Sequence, residues 1–304
     1  MFSKKALTID EQIAQLQERG LEIPNSVLAA KYLSNISYYR LGEYWYVMQS
    51  DKIKHTFKTN SKFKDVIALY NFDAELRILL FDVIEKIEIS LRSKLIYHLS
   101  HEIDPWWFQN FELFNDSLAL VKTLASLQEE LERSKDVTIK NHFKIHKDDK
   151  RFPPSWKSLE QTSFGALSKL YGNLKPTVKS KNVIAEELGA VNHTYLPSWL
   201  QSIAQIRNYC AHHSRLWNRN LPGTVKLLSA PPNPWIEDPI NVPKQHEFIH
   251  LYVHMCLMKY LLNVIQPHNN FTQRLDGLFL KYPNVDPNAL GMKPKWQEEP
   301  LWKQ

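Results

Sequence analysis

The chain has 304 residues, 43% of them hydrophobic and 23% charged, with a formal net charge of +6. That is a globular profile for one large or two modest domains, able to bury about 75% of the unfolded chain's surface. It excludes low-complexity and fixed-period repeat architectures, and the positive balance favours an acidic partner such as nucleic acid only slightly more than plain solubility does.

Read in chain order, the pattern is helical nearly throughout. Thr8-Ile9-Asp10-Glu11 forms a capping box, and Gly20 is a C-terminal stop. A second helix is predicted after Asn25 with a break near Asn35, followed by an aromatic segment holding Tyr38, Tyr39, Tyr44, Trp45 and Tyr46. Residues 51–64, rich in lysine, read as a loop or a β-excursion. The strongest helix follows: Val66, Leu69, Tyr70, Leu76, Leu79, Leu80, Val83, Ile84, Ile87, Leu91 and Leu95 keep one helical face.

Asp116-Ser117 opens another helix, with Leu118, Val121, Leu124, Leu127 and Leu131 predicted on its apolar face. The Lys/His-dense stretch 135–151 is expected to be mobile up to Pro153-Pro154. Helices are predicted near 157–172, 180–188, 197–215, 245–265 and 270–281. An extended tail from Pro283 should dock Trp296 and Trp302. Phe248–Ile265 is the most apolar run, but His250, His254, Lys259 and Asn263 interrupt it, so a buried core helix is expected rather than a membrane span. Alternating strands are almost absent, which makes the fold class all-α. The expected organisation is an N-terminal helical extension over 1–60, a helical core over 61–282 and the tail over 283–304, packed together as one compact domain.

No glycine-rich phosphate cradle of the GxxxxGK or GxGxxG type occurs. The two cysteines, Cys210 and Cys256, lie outside any CxxC or Cys/His zinc spacing and read as free buried thiols, as in a reducing cytoplasm. The N-terminal residues lack the apolar core of a signal peptide.

The densest chemistry lies in RNYCAHHSRLWNR, Arg207 to Arg219, with three arginines and two histidines. Arginine holds phosphate oxygens in a planar fork, and histidine exchanges a proton near neutral pH. If a helix runs from Leu196 to Trp217 or beyond, Ile203, Ile206, Cys210 and Trp217 form an apolar stripe. Asn208, His212, Arg215 and Arg219 then share a polar one, with Arg207 beside it. RNA cleavage through its own 2′-hydroxyl suits such a set: a base, an acid and cations for the extra phosphate charge, without a metal. One chain supplies one set, so two-fold pairing of these helices would complete the site. A helix-terminal arginine cluster with a structural histidine is the competing reading of the same spacing.

Arg207-Asn208-x-x-x-His212 resembles the RNxxxH signature of HEPN domains. The full string is closer still to the Abi-like family, the AbiD/AbiF group of bacterial abortive-infection proteins. YYRLGEYW (Tyr38–Trp45), YNFDAELRILL (Tyr70–Leu80), IEKIEISLRSKL (Ile84–Leu95), PPSWKSLEQTSFGALSKLY (Pro153–Tyr171) and PLW (Pro300–Trp302) carry the same resemblance in order along the chain. It implies a HEPN-type helical bundle, a homodimer whose Arg and His meet across the interface, and metal-independent RNA cleavage leaving a 2′,3′-cyclic phosphate. It also implies a toxin or phage-defence role, in some members with a structured non-coding RNA as antitoxin. Arg207, Asn208 and His212 take the catalytic places by this resemblance. His213 is the rival, set second because it would turn towards the apolar stripe.

Arg215, Arg219, Glu88 and Arg92 are supporting candidates: Glu88 would hold Arg207 or His212, or else form an i, i+4 surface pair with Arg92. Glu160 is a weaker second acid, and Phe164 and Gly165 are explained by packing. Lys140, Lys144, Lys147, Lys150 and Arg151 are expected to track an RNA backbone. Tyr38, Tyr39, Trp45, Trp106 and Trp107 either stack unpaired bases or fill the core. No metal, organic cofactor or membrane is expected. The alternative function is a module that holds a structured RNA without cutting it.

Overall fold

A helix of 40 residues, Phe63–Glu102, is the longest element of the computed structural model, which describes residues 5–303. It is α4 of twelve α-helices among the described residues, the others being α1 (Ile9–Glu18), α2 (Ser26–Ile36), α3 (Tyr38–Trp45), α5 (Ser117–Arg133), α6 (Val137–Ile145), α7 (Ser155–Ser158), α8 (Phe164–Asn173), α9 (Lys179–Glu187), α10 (Leu196–Ala211), α11 (Leu251–Ile265) and α12 (Phe271–Lys281). The all-α reading therefore holds. The excursion after α3 is an antiparallel hairpin of β1 (Gln49–Asp51) and β2 (Thr56–Phe57). No helix among the described residues is long and apolar enough to cross a membrane.

The chain divides into two compact units. The first runs to Arg77 and includes Leu275–Asp286; the second comprises Ile78–Arg274 and resumes at Pro287. In the first, Thr8 and Glu11 close the capping box at α1, and Gly20, at φ 93°, turns the chain out of it. Its core holds a polar centre. The Tyr44 hydroxyl donates to the Asp73 carboxylate at 2.7 Å, and Arg77 forms an ion pair with the same carboxylate. Burial and the Asp73 carboxylate beside it raise the phenol of Tyr44 well above its ordinary range.

In the second unit the predicted stripe of α4 is buried from Leu79 to Leu95, and Leu99 continues it. α10 packs on α8 and on α11. α11 is buried on every side, polar residues included. His254 accepts a hydrogen bond from Ser202 at Nδ1 and donates from Nε2 to the Phe248 carbonyl at 2.9 Å. Lys259 donates to Asn269 at 3.0 Å, and Asn263 to the Leu301 carbonyl at 3.0 Å. His254, Lys259 and Asn263 each have a partner, which is what makes an interrupted apolar helix tolerable in a core.

Four expectations need correction. Residues 135–151 contain the capped helix α6, with the Asp136 carboxylate accepting from the Thr138 N–H at 2.6 Å. The predicted helix 157–172 is broken into α7, a 3-10 turn and α8, because Ser163 caps a new start at Phe164, its hydroxyl accepting from the Ala166 N–H. The buried face of α5 is Leu120, Thr123, Leu127 and Leu131, leaving Leu118 and Val121 exposed. Asn173 at the end of α8 fixes that rotation, accepting from the Asp116 N–H and donating to its carbonyl, both at 2.8 Å. The tail is not extended: Pro287–Leu290 and Trp296–Glu298 form 3-10 turns. Trp296 and Trp302 are nonetheless buried as expected, Trp302 stacking on Tyr252 at 6.2 Å.

Candidate active site

α10 opens with Pro197 in its first turn, where a missing N–H costs nothing. Trp199, Ile203, Ile206 and Cys210 face inward. The helix ends at Ala211. His212 is its C-cap, and His213 follows at φ 55° in the left-handed region. The His213 N–H donates to the Cys210 carbonyl at 3.1 Å and the Ser214 N–H to the Tyr209 carbonyl at 2.9 Å. This pair of bonds is a Schellman closure, with a histidine in the place glycine usually takes.

The helix therefore stops six residues before Trp217, and the predicted polar stripe does not exist beyond His212. Arg215 and Arg219 belong to the loop that follows. Arg215 donates to the carbonyls of Trp217 at 2.6 Å and Asn218 at 3.0 Å. Arg219 donates to the Arg215 carbonyl at 2.5 Å and lies 4.7 Å over the Tyr209 ring. Arg215 braces the loop from within, and Arg219 ties it back onto the helix end through Tyr209. His213 does not turn inward either: it is exposed, as are His212 and Asn208. The helical-face argument that separated the two histidines ends where the helix ends.

Arg207 is half-buried on the last turns of α10. Its guanidinium carbon lies 5.7 Å from the centre of the Phe81 ring on α4, within cation–π range. Its Nε is shielded from solvent, and no acceptor among the described residues reaches it. His212 follows one turn later, its backbone N–H donating to the Asn208 carbonyl at 2.9 Å. The three motif residues thus share one exposed helix end, backed by the aromatic ring of Phe81. Phe81 carried no signal in the sequence beyond being an exposed phenylalanine on an otherwise patterned helix.

Glu88 accepts from Arg92 at 2.6 Å, so its carboxylate is engaged within α4. Arg92 also donates to the carbonyls of Leu159 at 2.9 Å and Thr162 at 3.0 Å. With side chains 11% and 18% exposed, Arg92 and Glu88 form an internal clamp on the α7–α8 connection rather than a surface pair. Glu160 stands 4.0 Å from Arg92 and is mostly exposed.

A family model for Abi-like proteins matches residues 31–218, from α2 to the loop just past His212 and His213. The chain belongs to the Abi-like family. The match takes in each resembling segment except Pro300–Trp302 and the final Arg219 of the motif string, and family membership points to a role in abortive infection. No curated protein and no solved structure matches the chain.

In this Abi-like chain the other candidates separate by burial. Trp45 and Trp107 are core residues, whereas Tyr39 is 87% exposed. Trp106 is half-buried beneath the Arg151 guanidinium, 3.7 Å from its ring centre. Lys140 and Lys144 lie on α6, and Lys147, Lys150 and Arg151 in the loop after it, all exposed.

Proposed function

We propose that this Abi-like protein is a HEPN-type endoribonuclease of phage defence that cleaves RNA without a metal, working as a homodimer. The observation that carries the reading is the Arg207 fork. It is held against Phe81 with its Nε enclosed and unmatched by any acceptor among the described residues, one turn from an exposed histidine. A half-buried cation without a carboxylate partner is energetically unfavourable unless an anion completes it.

In the proposed reaction His212 takes the proton of a 2′-hydroxyl, and that oxygen attacks the adjacent phosphorus. Arg207 neutralises the charge gathering on the non-bridging oxygens, and Asn208 orients the imidazole. The P–O5′ bond breaks, and the departing oxygen receives a proton from the His212 of a second copy. The products are a 2′,3′-cyclic phosphate and a 5′-hydroxyl. A structured RNA that guards the site in the resting state is consistent with the same anion-binding groups.

The test is incubation of labelled RNA with the purified wild type and the His212→Ala and His213→Ala variants, with and without EDTA. EDTA-resistant cleavage with cyclic-phosphate ends, lost in His212→Ala and kept in His213→Ala, is the expected outcome. Binding without cleavage by the wild type supports an RNA-holding module instead. Loss in His213→Ala alone moves the acid–base role one residue along.

A further inference from the structure

The helix α6 and the loop after it bound a cleft of about 600 Å³ together with the end of α5. Its size suits a ligand of roughly nucleotide dimensions. Leu131 and Ile139, 4% and 2% exposed, give it an apolar floor, and the Phe143 ring stands at the rim, 44% exposed. Lys140 and Lys150 line it, and neither forms an ion pair among the described residues.

Arg151 completes the lining and is fixed from two directions. Its Nε and Nη2 donate to Asp149 at 3.0 and 2.8 Å, and its guanidinium lies 3.7 Å over the Trp106 ring. Trp106 is itself anchored, its Nε1 donating to the Phe152 carbonyl at 2.9 Å. The Arg151 carboxylate partner is accordingly held well below the ordinary carboxylate range. A guanidinium held this way is a preformed platform, and an unpaired base stacks on such a plane as readily as on an aromatic ring. On α5, Gln128 donates to Glu132 at 2.8 Å, which sets an amide and a carboxylate side by side on the cleft wall. Those groups suit the donor and acceptor edge of a base and oppose a phosphate. The two lysines suit the phosphate.

We infer that this cleft holds one unstacked nucleotide of a single-stranded RNA, with the base against Phe143 and Arg151 and the phosphate on Lys140 and Lys150. The inference rests on the proposed function only in taking RNA as the partner; no cleavage step is involved. It also explains why a lysine-rich stretch is folded rather than loose: Ser134 at the cleft's edge donates to Gln161 at 2.9 Å, in the connection that Arg92 clamps.

The test uses the full chain and a short fluorescent 2′-O-methyl oligoribonucleotide carrying 2-aminopurine, which cannot be cut through its 2′ oxygen. Anisotropy reads affinity and 2-aminopurine emission reads stacking. Phe143→Ala is expected to weaken binding about tenfold and remove the emission change. The Lys140→Ala/Lys150→Ala double variant is expected to weaken it similarly and flatten the salt dependence, while Lys122→Ala, an exposed lysine of α5 outside the cleft, changes neither. Unchanged binding by the double variant, which alters only exposed side chains, overturns the inference even if Phe143→Ala misfolds. So does equal damage from Lys122→Ala, or failure of the wild type to bind. Adenosine monophosphate displacing the strand with equal affinity makes a free nucleotide the ligand and overturns the strand. Wild-type cleavage of ordinary RNA together with unaltered binding by the cleft variants removes this site while leaving the proposed function standing.

Discussion

The guanidinium of Arg207 lies 5.7 Å from the centre of the Phe81 ring, with its Nε enclosed and unmatched by any acceptor among the described residues. An enclosed donor of this kind destabilises a fold by about 1–3 kcal/mol, more when charged. Function and stability are therefore set against each other at this residue. Arg207→Met keeps the contact with Phe81 and removes the unmatched donor. The melting temperature should stay level or rise by about 2 °C, while RNA cleavage falls at least about a hundredfold. A large drop in melting temperature, seen by calorimetry, would show that the guanidinium is structural.

His213 occupies a left-handed backbone conformation, φ 55°, at the Schellman position. Side chains with a Cβ are disfavoured there by about 1 kcal/mol, and glycine is not. His213→Gly should therefore stabilise the protein by about 0.5–1 kcal/mol in urea unfolding, and His213→Val should destabilise it by a similar amount or more. If His212 carries the acid–base role, His213→Gly also keeps full cleavage activity. A histidine kept in a strained place whose removal abolishes cleavage would instead mark His213 as the catalytic group.

This turn also marks the limit of what the sequence discloses. The core stripe of α4 is legible because eleven aliphatic and aromatic positions repeat on one face, and burial enforces that face. The end of α10 is not legible, because helices usually announce their stop by glycine or proline, and here a histidine adopts the stopping conformation. Extending the helix past it generated a polar stripe through Arg215 and Arg219 that the loop does not have. The internal clamp of Arg92 and Glu88 was misplaced for a related reason. The i, i+4 spacing shows that two residues can meet, but not that two distant carbonyls, Leu159 and Thr162, come to the same guanidinium.

That clamp gives a separable prediction. Arg92 makes three hydrogen bonds from a site 11% exposed, so Arg92→Ala should cost about 2–4 kcal/mol by leaving the two carbonyls and Glu88 without their donor. Glu88→Gln retains an acceptor and should cost only about 1 kcal/mol. Neither change touches Arg207 or His212. Cleavage per folded molecule should therefore stay within about twofold of wild type for Glu88→Gln. A hundredfold loss without a change in melting temperature would restore Glu88 to the reaction.

The Asp73–Arg77 pair in the first unit can be weighed by a double-mutant cycle. Asp73 is wholly buried and Arg77 5% exposed, and Tyr44 donates to the same carboxylate. Removing one charge leaves the other enclosed, so Asp73→Ala and Arg77→Ala should each destabilise by about 3–5 kcal/mol. The double variant should lose clearly less than the sum. Additive losses in guanidinium unfolding would mean that the two charges are compensated by other groups rather than by each other.

His254 gives the fold a defined response to acid. Burial pushes its imidazole down from the ordinary 6.5 to about 4, while the hydrogen bond to the Phe248 carbonyl acts the other way. A histidine with a depressed folded-state pKa is protonated first in the unfolded chain. Between about pH 6.5 and pH 4 the unfolded state binds the extra proton, and stability falls as pH falls. The full contribution is present above that window and is of order 3 kcal/mol by the size of the shift, lost progressively down to about pH 4. Urea unfolding at pH 7.5 and pH 5 should therefore differ by about 1–2 kcal/mol in the wild type. His254→Gln keeps a hydrogen-bonding side chain against Ser202 without a titrating ring, so it should be less stable at pH 7.5 yet show a clearly smaller difference between the two pH values. An undiminished difference in that variant would assign the acid response to other groups, the carboxylates first.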